Sequence, residues 1–190
     1  MKLTETMIHQ MRIELIDPRN QRDSWRMFVG LAEGLGGDDF WRLFHRVFPG
    51  LSFVDPVECA SLFDRFRADH SEEHMQGLNR QLYARIPDRL VVHRGQCARK
   101  PRGLSWSVSK SIASFYGSSK THEDPVLYTA RVSKWDVVSV FSDAGDKELV
   151  LFNPNTLVVA REEIDPAAAD QGRRMMEARR VELLQKLAAV

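Results

Sequence analysis

Cysteine is scarce in this sequence: Cys59 and Cys97 are the only two among 190 residues. Two thiols cannot build a disulfide framework, and neither sits in a zinc-ligand spacing, so free, inert thiols in a reducing compartment are expected. No metal site is expected either. Long apolar runs are also missing, so no segment is expected to cross a bilayer. The opening MKLTETMIHQMRIELID breaks its apolar positions with charge, which suits a helix of the fold rather than a secretion signal. A cytoplasmic protein without a membrane partner is the default. An excess of one charge sign is absent as well: 27 Lys and Arg stand against 26 Asp and Glu. That balance argues against a general nucleic-acid binder, leaving local basic runs such as Arg99-Lys100-Pro101-Arg102 as contact patches. No repeat or low-complexity segment occurs.

What is present is an ordinary globular mixture, 43% apolar and 28% charged, enough for a packed core. Residues 1–86 carry helical periodicity. Thr4 opens a helix that Asp17-Pro18 closes, and Asp23-Ser24 caps a second one ending at Gly34 or Gly36-Gly37. Asp38-Asp39 starts a third, and Asp55-Pro56 a fourth with proline in its first turn. Ser71-Glu72-Glu73 is placed to cap a fifth. Trp25, Phe28, Phe40, Trp41, Phe44 and Phe63 recur at three- and four-residue spacings, the pattern of a helix-packing core.

After Pro87 the signal changes to short Val-, Leu- and aromatic-rich runs at 89–94, 103–107, 126–133, 136–141, 147–152 and 156–161, each bounded by turn residues. Between them, 109–116 predicts a short helix capped by Ser109, and 117–124 a polar loop. Asp165-Pro166 starts a closing helix with Met176, Leu183 and Leu187 along one face and Val181 and Leu184 beside them. The expectation is α+β: an N-terminal helical bundle (1–86) packed on a core of two small β-sheets with a C-terminal helix (87–190), together one compact domain.

Three pieces of the strand-rich half carry chemistry. Arg94 ends a short apolar strand, in His93-Arg94-Gly95. Ser105-Trp106-Ser107 forms the next strand, followed by the helix with Phe115 and Tyr116. Asp146-Lys147-Glu148 follows the turn Ser142-Asp143-Ala144-Gly145 and opens the strand Leu149-Val150-Leu151-Phe152. Strand alternation puts Asp146 and Glu148 on one face.

In that order the pieces resemble the arginine–serine–glutamate class of NAD-dependent mono-ADP-ribosyltransferases, as found in bacterial and phage toxins and effectors. Those enzymes carry an arginine on an early strand, a Ser-Thr-Ser-like strand and a Glu-x-Glu-like turn before a late strand. The resemblance spans about 88–160 and leaves the helical half outside. It implies a two-sheet core, NAD as co-substrate, no metal, and a macromolecular acceptor, a protein first and a nucleic acid second. It assigns Glu148 to the reacting ribose, Ser105 (with Ser107 second) to holding that glutamate or the ribose, and Asp146 to the acceptor. It assigns Arg94 to the diphosphate, Gly95 backbone groups to the nicotinamide amide, Phe115 or Tyr116 to the nicotinamide ring, and 117–124 to a loop over NAD.

The chemistry requires these residue types. Breaking the nicotinamide–ribose bond develops oxocarbenium charge, as in glycoside hydrolysis, and a carboxylate on the ribose hydroxyls stabilises it. A planar, charged guanidinium suits a diphosphate. Two departures stand out. Asp146 replaces the usual first glutamate and is one methylene shorter, which leaves the acceptor residue open. Trp106 replaces a small residue, and by alternation it faces away from both serines. His93 is expected to be a satisfied core or edge histidine. The alternatives are an NAD glycohydrolase toxin using the same residues with water, a related RNA 2′-phosphotransferase that the neutral charge disfavours, and a non-catalytic interaction module.

Overall fold

The computed structural model describes residues 2–120, 123–141 and 148–188. The chain divides into two compact units, Met1–Ala84 and Arg85–Val190.

The first unit holds five α-helices: α1 Glu5–Leu15, α2 Ser24–Ala32, α3 Gly37–Val47, α4 Pro56–Phe66 and α5 Gly77–Ala84. Their starts follow local chemistry. Thr4 accepts the Met7 N–H, and Asp55 accepts the Val57 and Glu58 N–H groups with Pro56 in the first turn, which satisfies amides that a helix start leaves unpaired. Asp23 makes no such bond. Ser71-Glu72-Glu73 differs from expectation. It opens only a 3-10 turn, in which Ser71 accepts from Glu73 while the Ser71 N–H donates to His74 Nδ1. The helix begins later, at Gly77, whose φ of +53° breaks the path between them.

The aromatic residues form the core of this unit. Phe28, Phe40, Trp41, Phe44 and Phe63 are fully buried. Phe40 stacks on Phe66 with ring centroids 4.3 Å apart, and Trp41 Nε1 donates to the Phe66 carbonyl at 2.8 Å. Each ring removes a large apolar area from water and the indole N–H keeps a partner, so the cluster is packing rather than a ligand cage.

His45 lies in this core, with the His70 ring 6.1 Å away. Burial first, and then the neighbouring His70 and His74, hold its pKa well below the ordinary 6.5. Between the folded and unfolded pKa values the unfolded chain binds the extra proton. Stability is therefore full above pH 6.5 and falls as the pH drops below it, by about 1.4 kcal/mol per pH unit. His45→Phe should flatten the dependence of this unit's melting temperature between pH 7 and 5. A variant that retains the wild-type slope would assign the effect to other groups.

The second unit contains β1 Arg89–Cys97, β2 Ser105–Ser107, α6 Lys110–Lys120, β3 Pro125–Ser133, β4 Val137–Phe141, β5 Glu148–Leu151, β6 Val159–Glu163 and α7 Pro166–Ala188. The architecture is α+β, with helices first and then a sheet and a closing helix. Among the described residues the strands form one six-stranded antiparallel sheet, in the order β4-β5-β2-β1-β3-β6. The expectation of two small sheets is corrected here, and the reason is local. One paired position, His93 opposite Ser107, joins β2 to β1, whereas β1 and β3 pair over nine positions. One rung of ladder turns two three-stranded halves into a single sheet.

The helix predicted over 109–116 runs on to Lys120, so the first four residues of the expected 117–124 loop are helical. Thr121 and His122 lie outside the described residues. Gly117 serves contact here, not a turn. It is buried against Gly95 of β1, and a Cβ on Gly95 would collide with the Ala113 carbonyl oxygen and the Gly117 backbone. The two glycines let α6 lie directly on the sheet. Gly95→Ala should accordingly cost about 1–3 kcal/mol by overpacking, read as a lower denaturant midpoint, and an unchanged midpoint would show that α6 shifts freely. On α7, Val181 and Leu184 are exposed, and the side chains of Leu183 and Leu187 lie outside the described residues. No helix among the described residues is long and apolar enough to cross a membrane.

Candidate functional site

The strand order gathers the three sequence motifs. β5, β2 and β1 are consecutive neighbours, so the strands bearing Glu148, the two serines and Arg94 lie side by side. Register then decides which side chains share a face, because residues directly opposite in an antiparallel pair project the same way. Ser107 lies opposite Glu148 on one flank and His93 on the other. His93 lies opposite Thr129 of β3. Thr129, His93, Ser107 and Glu148 therefore form one lateral row across four strands. Ser105 is on the same face one step along, opposite Val150. Of the two serines, Ser107 is the direct neighbour of Glu148.

Within the row, Glu148, His93 and Thr129 keep partial exposure and Ser107 is buried. The Ser107 hydroxyl accepts the Ser109 N–H at 2.9 Å, and Ser109 accepts from Ile112 N–H at the start of α6. The turn from β2 into α6 is thus fixed by the same serine that faces Glu148. Thr129 Oγ1 and His93 Nδ1 are 2.9 Å apart. Burial, and next the Lys110 ammonium, lower the His93 pKa from its ordinary value, while Glu162 opposes them. Lys110 and Glu162 are themselves paired at 2.8 Å.

Arg94 alternates to the opposite face, across from Tyr128. Continued past its one rung, the β1–β2 ladder would set the Ser105 carbonyl opposite Gly95. That carbonyl instead accepts from Arg94 Nη1. Arg94 Nε donates to Gln96 Oε1 at 2.6 Å, and the guanidinium packs against Gly103. Buried Gln96 completes the junction: its Oε1 also accepts from Gly103 N–H, and its Nε2 donates to the Lys100 and Pro101 carbonyls. Loss of hydration lowers the Arg94 pKa to about 10, and the Glu148 carboxylate works against that fall. Arg94 stays charged at neutral pH, and its charge and that of Glu148 act on each other.

No protein-family model, curated protein or solved structure matches this chain.

The other predicted positions are distributed unevenly. The α-carbon of Gly95 faces α6. Phe115 lies where α6 meets Gly172 of α7, with the Tyr116 ring 5.5 Å away. Asp146 lies outside the described residues, as does the 142–145 turn. Among the described residues no group of three His, Cys, Asp or Glu side chains is arranged to hold a metal ion. Cys59 and Cys97 are free and buried, and burial pushes the Cys59 thiol well above its usual range. Sequence reasoning passed over Gln96 and Thr129. Both occupy alternate strand positions among apolar residues, and that intrusion of hydrogen-bonding groups was the one available signal.

A carboxylate beside a hydroxyl, with a guanidinium in electrostatic reach, can hold sugar hydroxyls and stabilise positive charge developing at a sugar carbon.

Proposed function

We propose that the chain is an NAD-dependent mono-ADP-ribosyltransferase that transfers ADP-ribose to a macromolecular acceptor, a protein in the first instance. The observation that carries this reading is the adjacency of β1, β2 and β5, with Ser107 directly opposite Glu148. The strands that carry three motifs spread over about 60 residues of sequence are neighbours in the sheet, with the serines and Glu148 on one face and Arg94 on the other, bonded to the Ser105 carbonyl.

In this reading the nicotinamide–ribose bond breaks and nicotinamide leaves with the bonding electrons. The acceptor nucleophile bonds to the ribose carbon and gives up its proton. Glu148 accepts hydrogen bonds from ribose hydroxyls, which strengthen as positive charge develops. Ser107, and Ser105 one step away, hold the glutamate and ribose. Arg94 supplies the cation for the diphosphate. Its bonds to Gln96 and the Ser105 carbonyl mean that it either exchanges one of them or acts as a fixed positive charge from the other face of the sheet. Asp146 keeps the acceptor-orienting role that the resemblance implies.

Incubation with labelled NAD and a cell lysate tests this. Label on a macromolecule, lost in Glu148→Gln, supports transfer; nicotinamide release without label supports a glycohydrolase using the same residues. Neither activity would sink both. The engagement of Arg94 favours one further reading, a non-catalytic module in which the arginine only closes the sheet. Calorimetry with NAD separates it: saturable binding supports the enzyme, and absence of binding supports the module.

A further inference from the structure

The sheet face that carries Glu148 continues past His93 and Thr129 to a cleft at the start of β1 and the end of β3. Its volume is about 560 Å³, and Arg89, Leu90, Val91, Arg131, Val132 and Ser133 line it. We propose that this cleft docks an acidic segment of the protein acceptor, with Arg89 and Arg131 each taking one carboxylate. The docking role rests on the transferase reading, whereas the affinity of the cleft for an acidic chain does not.

Two cations without a counter-ion carry the argument. Arg89 lies opposite Ser133, and Arg131 opposite Val91. The four occupy the corners of one rectangle on that face, with the arginines across its diagonal, about 7–8 Å apart. Both arginines are exposed, and among the described residues neither makes an ion pair or a side-chain hydrogen bond. The Asp136 carboxylate is taken instead by the Ser133 N–H and hydroxyl, at 2.8 and 3.0 Å. Like charges at neighbouring positions of a sheet destabilise it, and an anion bound to both removes that repulsion. Val91, 44% exposed at a third corner, offers an apolar contact.

Spacing and charge select the occupant. In an extended chain alternate residues project to one side about 6.6–7 Å apart, which matches the diagonal, so acidic residues two positions apart reach both guanidiniums. Each planar fork suits a carboxylate. A nucleic acid fits less well, because its binding draws on many cations at once, and the chain is nearly neutral, with 27 basic against 26 acidic residues. The basic run Arg99-Lys100-Pro101-Arg102 is largely engaged: Arg102 donates to the Leu157 and Asn155 carbonyls, and Arg99 faces Glu123 at 3.6 Å. Along the sheet, Arg131 is three strands and one step from Glu148, about 16 Å at ordinary strand spacing. An extended segment of about five residues covers that distance and joins the cleft to the reacting ribose.

Two measurements on the full chain test this. In the first, fluorescein-labelled poly-L-glutamate is titrated with protein at low salt and read by anisotropy. Arg89→Gln and Arg131→Gln should each weaken binding about 2–5-fold, the range of an exposed ion pair, and the double variant about 4–25-fold. Added salt should shrink the difference, and Arg99→Gln, outside the cleft, should bind as the wild type does. In the second, labelled NAD and a lysate are supplied. The double variant should label protein less by a similar factor, while its nicotinamide release in lysate-free buffer keeps the wild-type rate. Failure of the wild type to bind poly-L-glutamate, or equal binding by the double variant, would overturn the proposal whatever the activity. So would a label that nuclease removes and protease does not, which leaves transfer standing with a nucleic acid as acceptor. A lower melting temperature in Arg131→Gln would assign that arginine to holding the sheet, with the same consequence. Arginine-dependent binding by a protein that labels nothing would sink the transferase reading and the docking role, while bearing out the affinity for acidic chains.

Discussion

Glu148→Gln should abolish most turnover while leaving the fold and the binding of NAD nearly intact. Glutamine has the shape of glutamate but no negative charge, so it can fill the start of β5 opposite Ser107. What it cannot do is oppose the positive charge that grows on the ribose as nicotinamide leaves. Removing one preorganised electrostatic partner of a transition state typically costs about 100–1,000-fold in kcat, or about 3–4 kcal/mol. The interaction strengthens in the transition state, so kcat falls and KM moves little. Partial exposure of Glu148 keeps the stability change small. Single-turnover nicotinamide release with wild type and variant checks this. Equal rates would remove Glu148 from the mechanism and with it the reading built around it.

The second large effect is expected at Arg94, and it is double. Arg94→Ala should weaken NAD binding by about 1.5–3 kcal/mol if one charge-assisted contact to the diphosphate is lost. It should also destabilise the sheet unit. The guanidinium ties Gln96 on β1 to the Ser105 carbonyl on β2 at the place where the ladder has only one rung. Two charge-assisted bonds disappear and the carbonyl loses its donor, while the cost of burying the cation is relieved. The net expectation is a loss of about 2–4 kcal/mol in unfolding free energy. Arg94→Lys keeps the charge but lacks the fork that serves both partners, so it should recover binding better than stability. Denaturant unfolding and calorimetry, run below the midpoint of each variant, separate the two effects. A variant with the wild-type midpoint and weakened binding would mean that the junction bonds are dispensable. The reverse would make Arg94 purely structural.

Much of the architecture could be read from residues in order. The caps at Thr4, Asp55 and Ser109 formed because a side-chain oxygen followed by helix-compatible residues satisfies amides nearby in sequence. All six strands fell near the predicted runs because alternation and turn residues are local signals. The aromatic spacing in the first unit gave its core for the same reason. The Ser71 start failed because Gly77 sets the backbone path, and the first four residues of the 117–124 loop are helical instead because Gly117 serves contact, which looks in sequence the same as a turn.

Sequence alone thus determined the α+β class, the order of helices and strands, and the residue types that make Arg94, Ser105, Ser107 and Glu148 worth considering together. Only the tertiary structure decided that the strands make one sheet, that Ser107 and not Ser105 stands opposite Glu148, that His93 and Thr129 extend that row, and that Gly95 is spent on contact with α6. It also decided that the Arg94 guanidinium spans the β1–β2 junction. The division has one physical cause. Backbone preference and side-chain period act over a few residues, whereas register and strand order are set by pairing between segments tens of residues apart. A shift of a single position would have turned Glu148 to the other face.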